Sequence, residues 1–274
     1  MKITHHRPAP ALRRFISAYV VVDDRAGSLP HSPIQTAPMP FGALSVNFCE
    51  RSRDGAGTRH PETAFLGLQT GVRHWVSGAS TLFVMVLLTP AGIPRLFPRL
   101  GSETGNALCD LTDLWDRDGT ERFRNAAAAM LDATPPDSPL DRWAHSRLAD
   151  SPSDRPALVD ALFLHGRPSA AASALDLSLR TFERQFQRDL GITPTELTNL
   201  ERLQHSLKAR HCSDGSAYGF DTAAVHDGFS DQSHEIRHWR RYLGTSPGRY
   251  RNAGLSRAAR AFRTGDPDGA VFYL

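Results

Sequence analysis

The C-terminal third of the chain contains one pattern twice, and this repeat constrains the fold more than any single motif does. A helix-capping residue is followed by Arg six positions on, an aromatic residue eight on, Gly thirteen on and Pro sixteen on. The first copy consists of Ser178, Arg184, Phe186, Gly191 and Pro194, and the second of Asp231, Arg237, Trp239, Gly244 and Pro247. Repetition of this kind indicates one supersecondary unit used twice.

Each copy predicts a helix with a defined beginning and an inward face. Ser178 and Asp231 suit N-cap positions, because their side-chain oxygens can accept hydrogen bonds from the unpaired N–H groups of the first turn. In the first copy, Phe182, Phe186 and Leu190 recur at helical spacing and must therefore pack inward. The remaining positions of this helix face solvent or a ligand.

The residues around each capped helix complete a helix-turn-helix pattern. Gly191 and Gly244 fall where the helices stop, since Gly accepts the left-handed conformation of a C-terminal cap. Pro at the start of the next segment suits the first turn of a new helix. Small residues upstream, Ala171-Ala172 and Ala223-Ala224, let an earlier helix cross closely. In this motif the second helix enters the major groove of DNA.

A single long helix is predicted between the two units, from residue 194 to about residue 211. Leu197, Leu200, Leu203 and Leu207 recur on one side of it. Roughly 17 residues at ~1.5 Å each give a rod of about 25 Å. With the helix pairs at its ends, this rod can place two probe helices about one DNA turn apart, ~34 Å.

Several motifs of this region recur at fixed spacing in a known family. They are Phe182-Glu183-Arg184-Gln185-Phe186, Arg202-Leu203, Gly228-Phe229-Ser230-Asp231-Gln232-Ser233, Arg237-His238-Trp239-Arg240-Arg241 and Pro247-Gly248-Arg249-Tyr250-Arg251. On these motifs, residues 157–251 resemble the DNA-binding domain of the AraC/XylS family of bacterial transcription regulators. The resemblance implies a partner, double-stranded DNA, and covers about a third of the chain.

The resemblance also implies which residues contact DNA. Matching positions on the exposed faces of the probe helices, where the family reads base edges, are Arg180, Glu183, Arg184, Gln232, Ser233, His234 and Arg237. Candidates for phosphate contacts are Ser178, Arg188, Arg240, Arg241, Arg249 and Arg251. Arg184 and Arg237 occupy equivalent positions, and either can instead contact phosphate or pair with a neighbouring carboxylate.

Three acidic residues depart from the family pattern. Glu235 stands where an apolar residue is usual, and a carboxylate there must be paired, or the helix must shift, because burying a lone charge is costly. The expected result of Glu235→Leu is therefore a more stable domain. Asp227 also replaces an apolar residue, and Asp176 replaces Gly. The second unit is accordingly expected to be less stable or to bind DNA more weakly.

The charge distribution agrees with a DNA-binding C-terminal region. Up to His165 the chain has 17 Lys+Arg and 17 Asp+Glu, whereas from Gly166 to Arg263 it has 15 and 10. A basic excess on one domain is expected of a surface that binds phosphates.

The N-terminal part has the pattern of a different domain. Short apolar runs at residues 15–22, 43–48, 63–68 and 81–88 predict strands of a small antiparallel sandwich or barrel. Residues 111–115, 120–131 and 140–148 predict helices, the second of them capped by Thr120. The predicted fold class is α+β, with a β-rich sandwich or barrel and accessory helices followed by an all-α tandem helix-turn-helix domain. We expect domains at 1–150 and 157–252, a linker at 151–156 and a tail at 253–274.

This N-terminal part resembles, more faintly, the sensor-like domain that precedes some AraC-type DNA-binding domains. The resemblance rests on residues 10–19, 87–93 and 111–115, and it implies effector binding or homodimerisation. Phe41, Phe65, Trp75 and Phe83 are the candidates for contacting a small-molecule effector, since a barrel mouth is a common ligand site. The alternative for each of them is a purely structural place in the core.

Neither enzyme chemistry nor a bound metal or other cofactor is predicted. Cys49, Cys109 and Cys212 are isolated, without a second Cys or a His at ligand spacing, which favours a reducing cytoplasm. The longest apolar run is too short to cross a membrane. The resulting hypothesis is a transcription regulator, activator or repressor, that contacts RNA polymerase if it activates. The alternatives are a protein-interaction module, or a barrel enzyme, with a degenerate helix-turn-helix appendage.

Overall fold

The computed structural model describes residues 1–98, 100–133, 138–149, 156–212 and 232–253. Its N-terminal part contains a six-stranded antiparallel sheet with the strand order β1-β2-β8-β4-β6-β9. These strands are β1 (Lys2–His6), β2 (Ile16–Asp24), β4 (Gly42–Asn47), β6 (Thr63–Leu66), β8 (Thr81–Leu88) and β9 (Leu108–Asp110).

A second, three-stranded antiparallel sheet has the order β3-β7-β5. Its strands are β3 (Pro33–Thr36), β5 (Arg53–Asp54) and β7 (Arg73–Val76). Side chains alternate across it: Thr36 is buried and Trp75 partly buried on one face, whereas Gln35 and His74 are exposed on the other. The sheet therefore has an inner and an outer face, as expected for a half-buried strand set.

One face of the six-stranded sheet carries the main apolar core. Val84, Val86 and Leu88 of the central strand β8 are fully buried there, and Phe83 and Met85 point to the opposite, partly exposed face. Helices α1 (Gly92–Leu96), α2 (Arg117–Met130) and α3 (Pro139–Ala149) belong to the same core. The rings of Phe97, Trp115, Phe123 and Trp143 join them in one aromatic cluster.

In the C-terminal part, the described residues form helices joined by short turns. It contains α4 (Pro156–His165), α5 (Pro168–Ala174), α6 (Leu179–Leu190), α7 (Pro194–Cys212), α8 (Gln232–Leu243) and α9 (Pro247–Ala253). On α7, Leu197, Leu200, Leu203 and Leu207 are all fully buried. The long connecting helix and its inward leucine face are thus confirmed.

The two parts are packed directly against each other. The same apolar core runs from the strand β8 into α4, α6 and α7. Helix α6 contacts α1 and the 3₁₀ turn Ser102–Thr104. Gln204 of α7 donates a buried hydrogen bond of 2.8 Å from Nε2 to the carbonyl oxygen of Pro38. The first helix-turn-helix unit is therefore seated on the N-terminal part.

The predicted fold class is confirmed, and the differences are local. The four predicted strands correspond to β2, β4, β6 and β8. Strands β1, β3, β5, β7 and β9 were not predicted, since they are short or carry no alternating apolar pattern. The predicted cap at Thr120 is wrong: α2 begins earlier, and Asp116 accepts a 2.7 Å hydrogen bond from the N–H of Gly119.

Candidate nucleic-acid interface

The first helix-turn-helix unit consists of α5, the four residues 175–178 and α6. Ala171 and Ala172 are fully buried where the two helices meet. The turn is closed by a 2.9 Å hydrogen bond from the N–H of Leu177 to the carbonyl oxygen of Ala172. Within it Asp176 has a φ of 53°, a left-handed conformation that non-glycine residues adopt at a cost. The usual Gly at this position is explained by that backbone geometry.

Helix α6 begins and ends as predicted. The hydroxyl of Ser178 accepts a 3.2 Å hydrogen bond from the N–H of Thr181, which satisfies one orphan donor of the first turn. At the other end Gly191 has a φ of 73°, and its N–H donates to the carbonyl oxygen of Gln187. The N-cap and C-cap hypotheses for this helix are confirmed.

The two faces of α6 differ sharply. Phe182, Phe186 and Leu190 are buried on the inner face. Arg180, Glu183 and Arg184 are exposed on the outer face. Because the helix packs through one side, its exposed face is held in a fixed orientation. This face is free to enter a DNA groove.

The second unit is described from α8 onward. Ser233 and Arg237 are exposed on α8, and Gln232 is its first residue. His234 is partly buried, and its ring meets the ring of His238 edge-on, with centroids 5.0 Å apart. The expectations for residues 223–231, including the cap Asp231 and the acidic Asp227, lie outside the described residues.

Glu235 has a hydrogen-bond partner. Its Oε1 accepts a 2.6 Å hydrogen bond from the hydroxyl of Ser206 on α7, and that hydroxyl oxygen accepts one of 2.9 Å from Nε1 of the fully buried Trp239. The carboxylate therefore belongs to a polar network that joins α8 to α7. Sequence reasoning missed Ser206, because a serine among the leucines of α7 carries no signal of its partner.

The candidates for phosphate contacts lie in different settings. Arg188 is exposed, but its Nε is 3.1 Å from Oδ1 of the buried Asp189, so part of its hydrogen-bonding capacity is used within the protein. Arg240, Arg241 and Arg249 are exposed. Arg251 lies in α9, and Ser178 is the cap of α6.

The four effector candidates are not brought together. Phe65 is fully buried in the main core, where its ring lies 4.6 Å from that of Phe97. Phe41 and Phe83 belong to a separate apolar cluster on the opposite face of the six-stranded sheet. Trp75 lies in the three-stranded sheet. An effector contacting all four residues is therefore incompatible with this arrangement, although each remains a separate candidate.

The described residues contain neither a cluster of metal-ligating side chains nor a membrane-spanning helix. No group of three or more His, Cys, Asp or Glu side chains within them is arranged to hold a metal ion. No helix in the described ranges is long and apolar enough to cross a membrane. Cys49 and Cys109 are free thiols.

A short helix, a tight turn and a capped second helix with an exposed basic face define a helix-turn-helix protein. The comparison with known families agrees, because residues 171–253 match the family described as "Helix-turn-helix domain". The match runs from within α5 to the end of α9.

Curated relatives match the same end of the chain. The HTH-type transcriptional activator RhaS of Escherichia coli O157:H7 (strain EC4115 / EHEC) is 40% identical over 78 residues, which cover 28% of this chain and 27% of the relative. RhaS of Escherichia coli strain K12 / DH10B is 38% identical over the same length. The chain thus matches about a quarter of the length of these relatives.

A solved structure is similar over a longer stretch but more weakly. ToxT from Vibrio cholerae aligns with 85% of this chain and 98% of its own, at a TM-score of 0.44 and 10% identity.

Proposed function

We propose that the protein is a sequence-specific DNA-binding transcription regulator. Helix α6 is the first recognition helix, and Arg180, Glu183 and Arg184 read base edges in a major groove. Helix α8 is the second, with Gln232, Ser233, His234 and Arg237 as its reading residues. Arg188, Arg240, Arg241, Arg249, Arg251 and the cap Ser178 hold phosphates and fix the register of the two helices on the duplex.

The observation that carries this proposal is the exposed outer face of α6. Two arginines and a glutamate stand there on a helix whose opposite face is locked by Phe182 and Phe186. Arginine pairs bidentately with guanine, and glutamate accepts from the amino group of cytosine. The similarity to RhaS supports the same role for this part of the chain.

The spacing of the two recognition helices follows from α7. This helix has 19 residues, which at ~1.5 Å each give about 28 Å. Together with the helices at its ends, that length suits two successive major grooves on one side of the duplex, ~34 Å apart. Leu197 and Leu207 are fully buried, and α7 contacts both α6 and α8.

The N-terminal part would supply regulation. We assign it effector binding or homodimerisation, with RNA polymerase as a further partner if the protein activates transcription. Activation is the direction favoured by the names of the curated relatives. A cytoplasmic location and the absence of enzymatic activity belong to the same proposal.

The test is selection from a pool of random duplexes, followed by measurement of the affinity of the selected sequence against salt. We expect two conserved blocks about one turn apart, and a logarithmic affinity that falls linearly with the logarithm of the salt concentration. One conserved block would restrict reading to α6. No enriched sequence, with weak binding insensitive to salt, would favour the protein-interaction module instead.

A further inference from the structure

The inner face of the three-stranded sheet holds Trp75 in a fixed position. Its Nε1 donates a 3.0 Å hydrogen bond to the hydroxyl of Thr36 on the neighbouring strand. The guanidinium carbon of Arg73 lies 5.0 Å from the centre of the indole ring, and the ring of His60 meets it edge-on with centroids 4.3 Å apart. Two polar side chains thus converge on one anchored indole.

Arg73 carries a charge that nothing in the described part of the chain neutralises at contact distance. Its Nη1 is buried and has no hydrogen-bond partner there. Burial lowers the pKa of Arg73, and among the carboxylates that of Asp54 opposes this fall. The Asp54 carboxylate accepts hydrogen bonds from the N–H groups of Ala56 and Thr58 within its own turn. A buried, unpaired guanidinium donor costs folding free energy, and an oxyanion would remove this cost.

His60, beside the same indole, also has a buried nitrogen, Nε2, without a hydrogen-bond partner among the described residues. Burial lowers the pKa of His60 to about 4, so the ring is neutral near pH 7. A neutral imidazole with a proton on Nε2 can donate one hydrogen bond to an anion without adding a second charge.

The surroundings limit the charge of the ligand. Asp54 lies on the strand next to Arg73, and the edge strand β9 brings Cys109 close enough for the charge of Arg73 to act on its thiol. Burial raises the pKa of this thiol, and the charges of Asp113 and Glu103 raise it further. Arg73 supplies one positive charge to the site, and the carboxylate of Asp54 beside it disfavours a doubly charged anion such as phosphate.

We propose that Arg73, His60 and Trp75 form a binding site for a small organic molecule with one carboxylate. The carboxylate accepts hydrogen bonds from Nη1 of Arg73 and Nε2 of His60. The apolar body of the molecule lies along the indole of Trp75. That this ligand is the effector rests on the proposed function, whereas its binding to the site does not.

The test uses the indole N–H resonance of Trp75 in ¹⁵N-labelled full-length protein, assigned with Trp75→Phe. Benzoate, acetate and phosphate are titrated separately at constant ionic strength against sodium chloride. We expect benzoate to shift the resonance saturably and at lower concentration than acetate, with phosphate no better than chloride. If benzoate shifts the resonance no more than chloride does, the proposed site is wrong. If phosphate binds more tightly than benzoate, the assignment of the ligand as a monocarboxylate is wrong.

Matched variants separate the site from general effects on the fold. Arg73→Gln should weaken benzoate binding by about tenfold or more, because it removes a charged donor. Arg53→Gln is the control: Arg53 lies on β5 of the same sheet, is exposed, and its Nη1 donates a 3.2 Å hydrogen bond to the carbonyl oxygen of Gly57. Arg73→Lys keeps the positive charge and should recover part of the affinity, whereas no recovery would mean that Arg73→Gln acts by loosening the sheet. Equal affinity in Arg73→Gln and wild type would exclude Arg73 from the site.

DNA affinity measured in the same samples keeps the two proposals apart. If benzoate binds the wild type and changes its affinity for the selected duplex, but not that of Arg73→Gln, the ligand is an effector. If the duplex is bound equally with and without saturating benzoate, the carboxylate site stands and its effector role is wrong. If no duplex is selected while benzoate still binds, the regulator hypothesis fails and the site remains.

Discussion

The backbone of Gly105 packs against the backbone of Gly191, which brings a turn of the N-terminal part onto the C-terminal cap of α6. A Cβ on Gly105 would collide with the carbonyl group of Gly191, and a Cβ on Gly191 would collide with the amide nitrogen of Gly105. Gly191 also needs its left-handed backbone, with a φ of 73°, to end the helix. Two glycines thus permit a close backbone approach between the two parts of the chain.

Gly105→Ala should therefore separate or strain this contact. We expect a loss of about 1–3 kcal/mol in the free energy of unfolding, because backbone must move to admit the methyl group. Chemical denaturation measures it. Gly71→Ala is the control, since no atom lies within 4 Å of a Cβ at that position. Equal stability of both variants would mean that the two parts are not held together at Gly105.

Arg184→Ala should weaken binding to the selected duplex by ~1–3 kcal/mol and relax the preference at one base pair. The side chain is exposed on the outer face of α6, so its loss leaves the core intact. Equilibrium binding to the selected duplex and to its single-base variants measures both effects. As a control, Arg117→Ala removes the same charge from an exposed position on α2. A uniform loss on all duplexes would assign Arg184 to a phosphate.

Asp176→Gly should stabilise the first helix-turn-helix unit. Glycine adopts the φ of 53° without the cost that a side chain incurs, although it also gains entropy in the unfolded chain, so the net gain is about 0.5–1 kcal/mol. Thermal unfolding measures it. Asp176→Asn removes only the charge and should leave the melting temperature nearly unchanged. If Asn stabilises as much as Gly, the charge rather than the backbone sets the cost.

Glu235→Leu should lower the stability of the C-terminal helices rather than raise it. The substitution leaves the hydroxyl of Ser206 without its carboxylate acceptor, a loss of about 1–2 kcal/mol. A double-mutant cycle with Ser206→Ala, followed by urea unfolding, isolates the interaction. Additive effects of the two substitutions, or a higher melting temperature for Glu235→Leu, would contradict the pairing.

Glu201 makes the stability of α7 depend on pH. Burial raises the pKa of this carboxyl to about 7 against an ordinary 4.5, and Lys208 opposes the rise only in part. The folded state therefore holds the proton more tightly than the unfolded chain does. Stability should fall as the pH rises between these two values, and the whole penalty should be present above about pH 7.

Glu201→Gln removes this penalty. We expect the variant to be more stable than the wild type by on the order of 1–3 kcal/mol above neutral pH, with the difference vanishing below the ordinary pKa of Glu. Unfolding curves across the pH range measure it. Glu121→Gln, an exposed position on α2, serves as the control. A difference between Glu201→Gln and wild type that is independent of pH would exclude titration of Glu201 as its cause.

The sequence predicts best what local chemistry determines. Ser178, Gly191 and the Phe182–Phe186 face of α6 follow from caps and helical spacing, which involve only near neighbours along the chain. The partners of Glu235 and Gly105 could not be predicted, because Ser206 and Gly191 come close to them only through tertiary packing. Likewise, Arg73 lies on the same strand as Trp75, but His60 lies on a separate segment, and only tertiary packing brings its ring to the indole.

The packing of α6 against the N-terminal part also affects what a fragment containing only the C-terminal helices can show. A fragment beginning near residue 156 would lose the turn at Gly105 and the carbonyl of Pro38 that holds Gln204. It would also expose apolar surface of the shared core to water. Such a fragment would therefore show the DNA affinity of a less constrained recognition helix. If the fragment bound DNA more tightly than the full-length protein, the difference would measure how strongly the N-terminal part restrains α6.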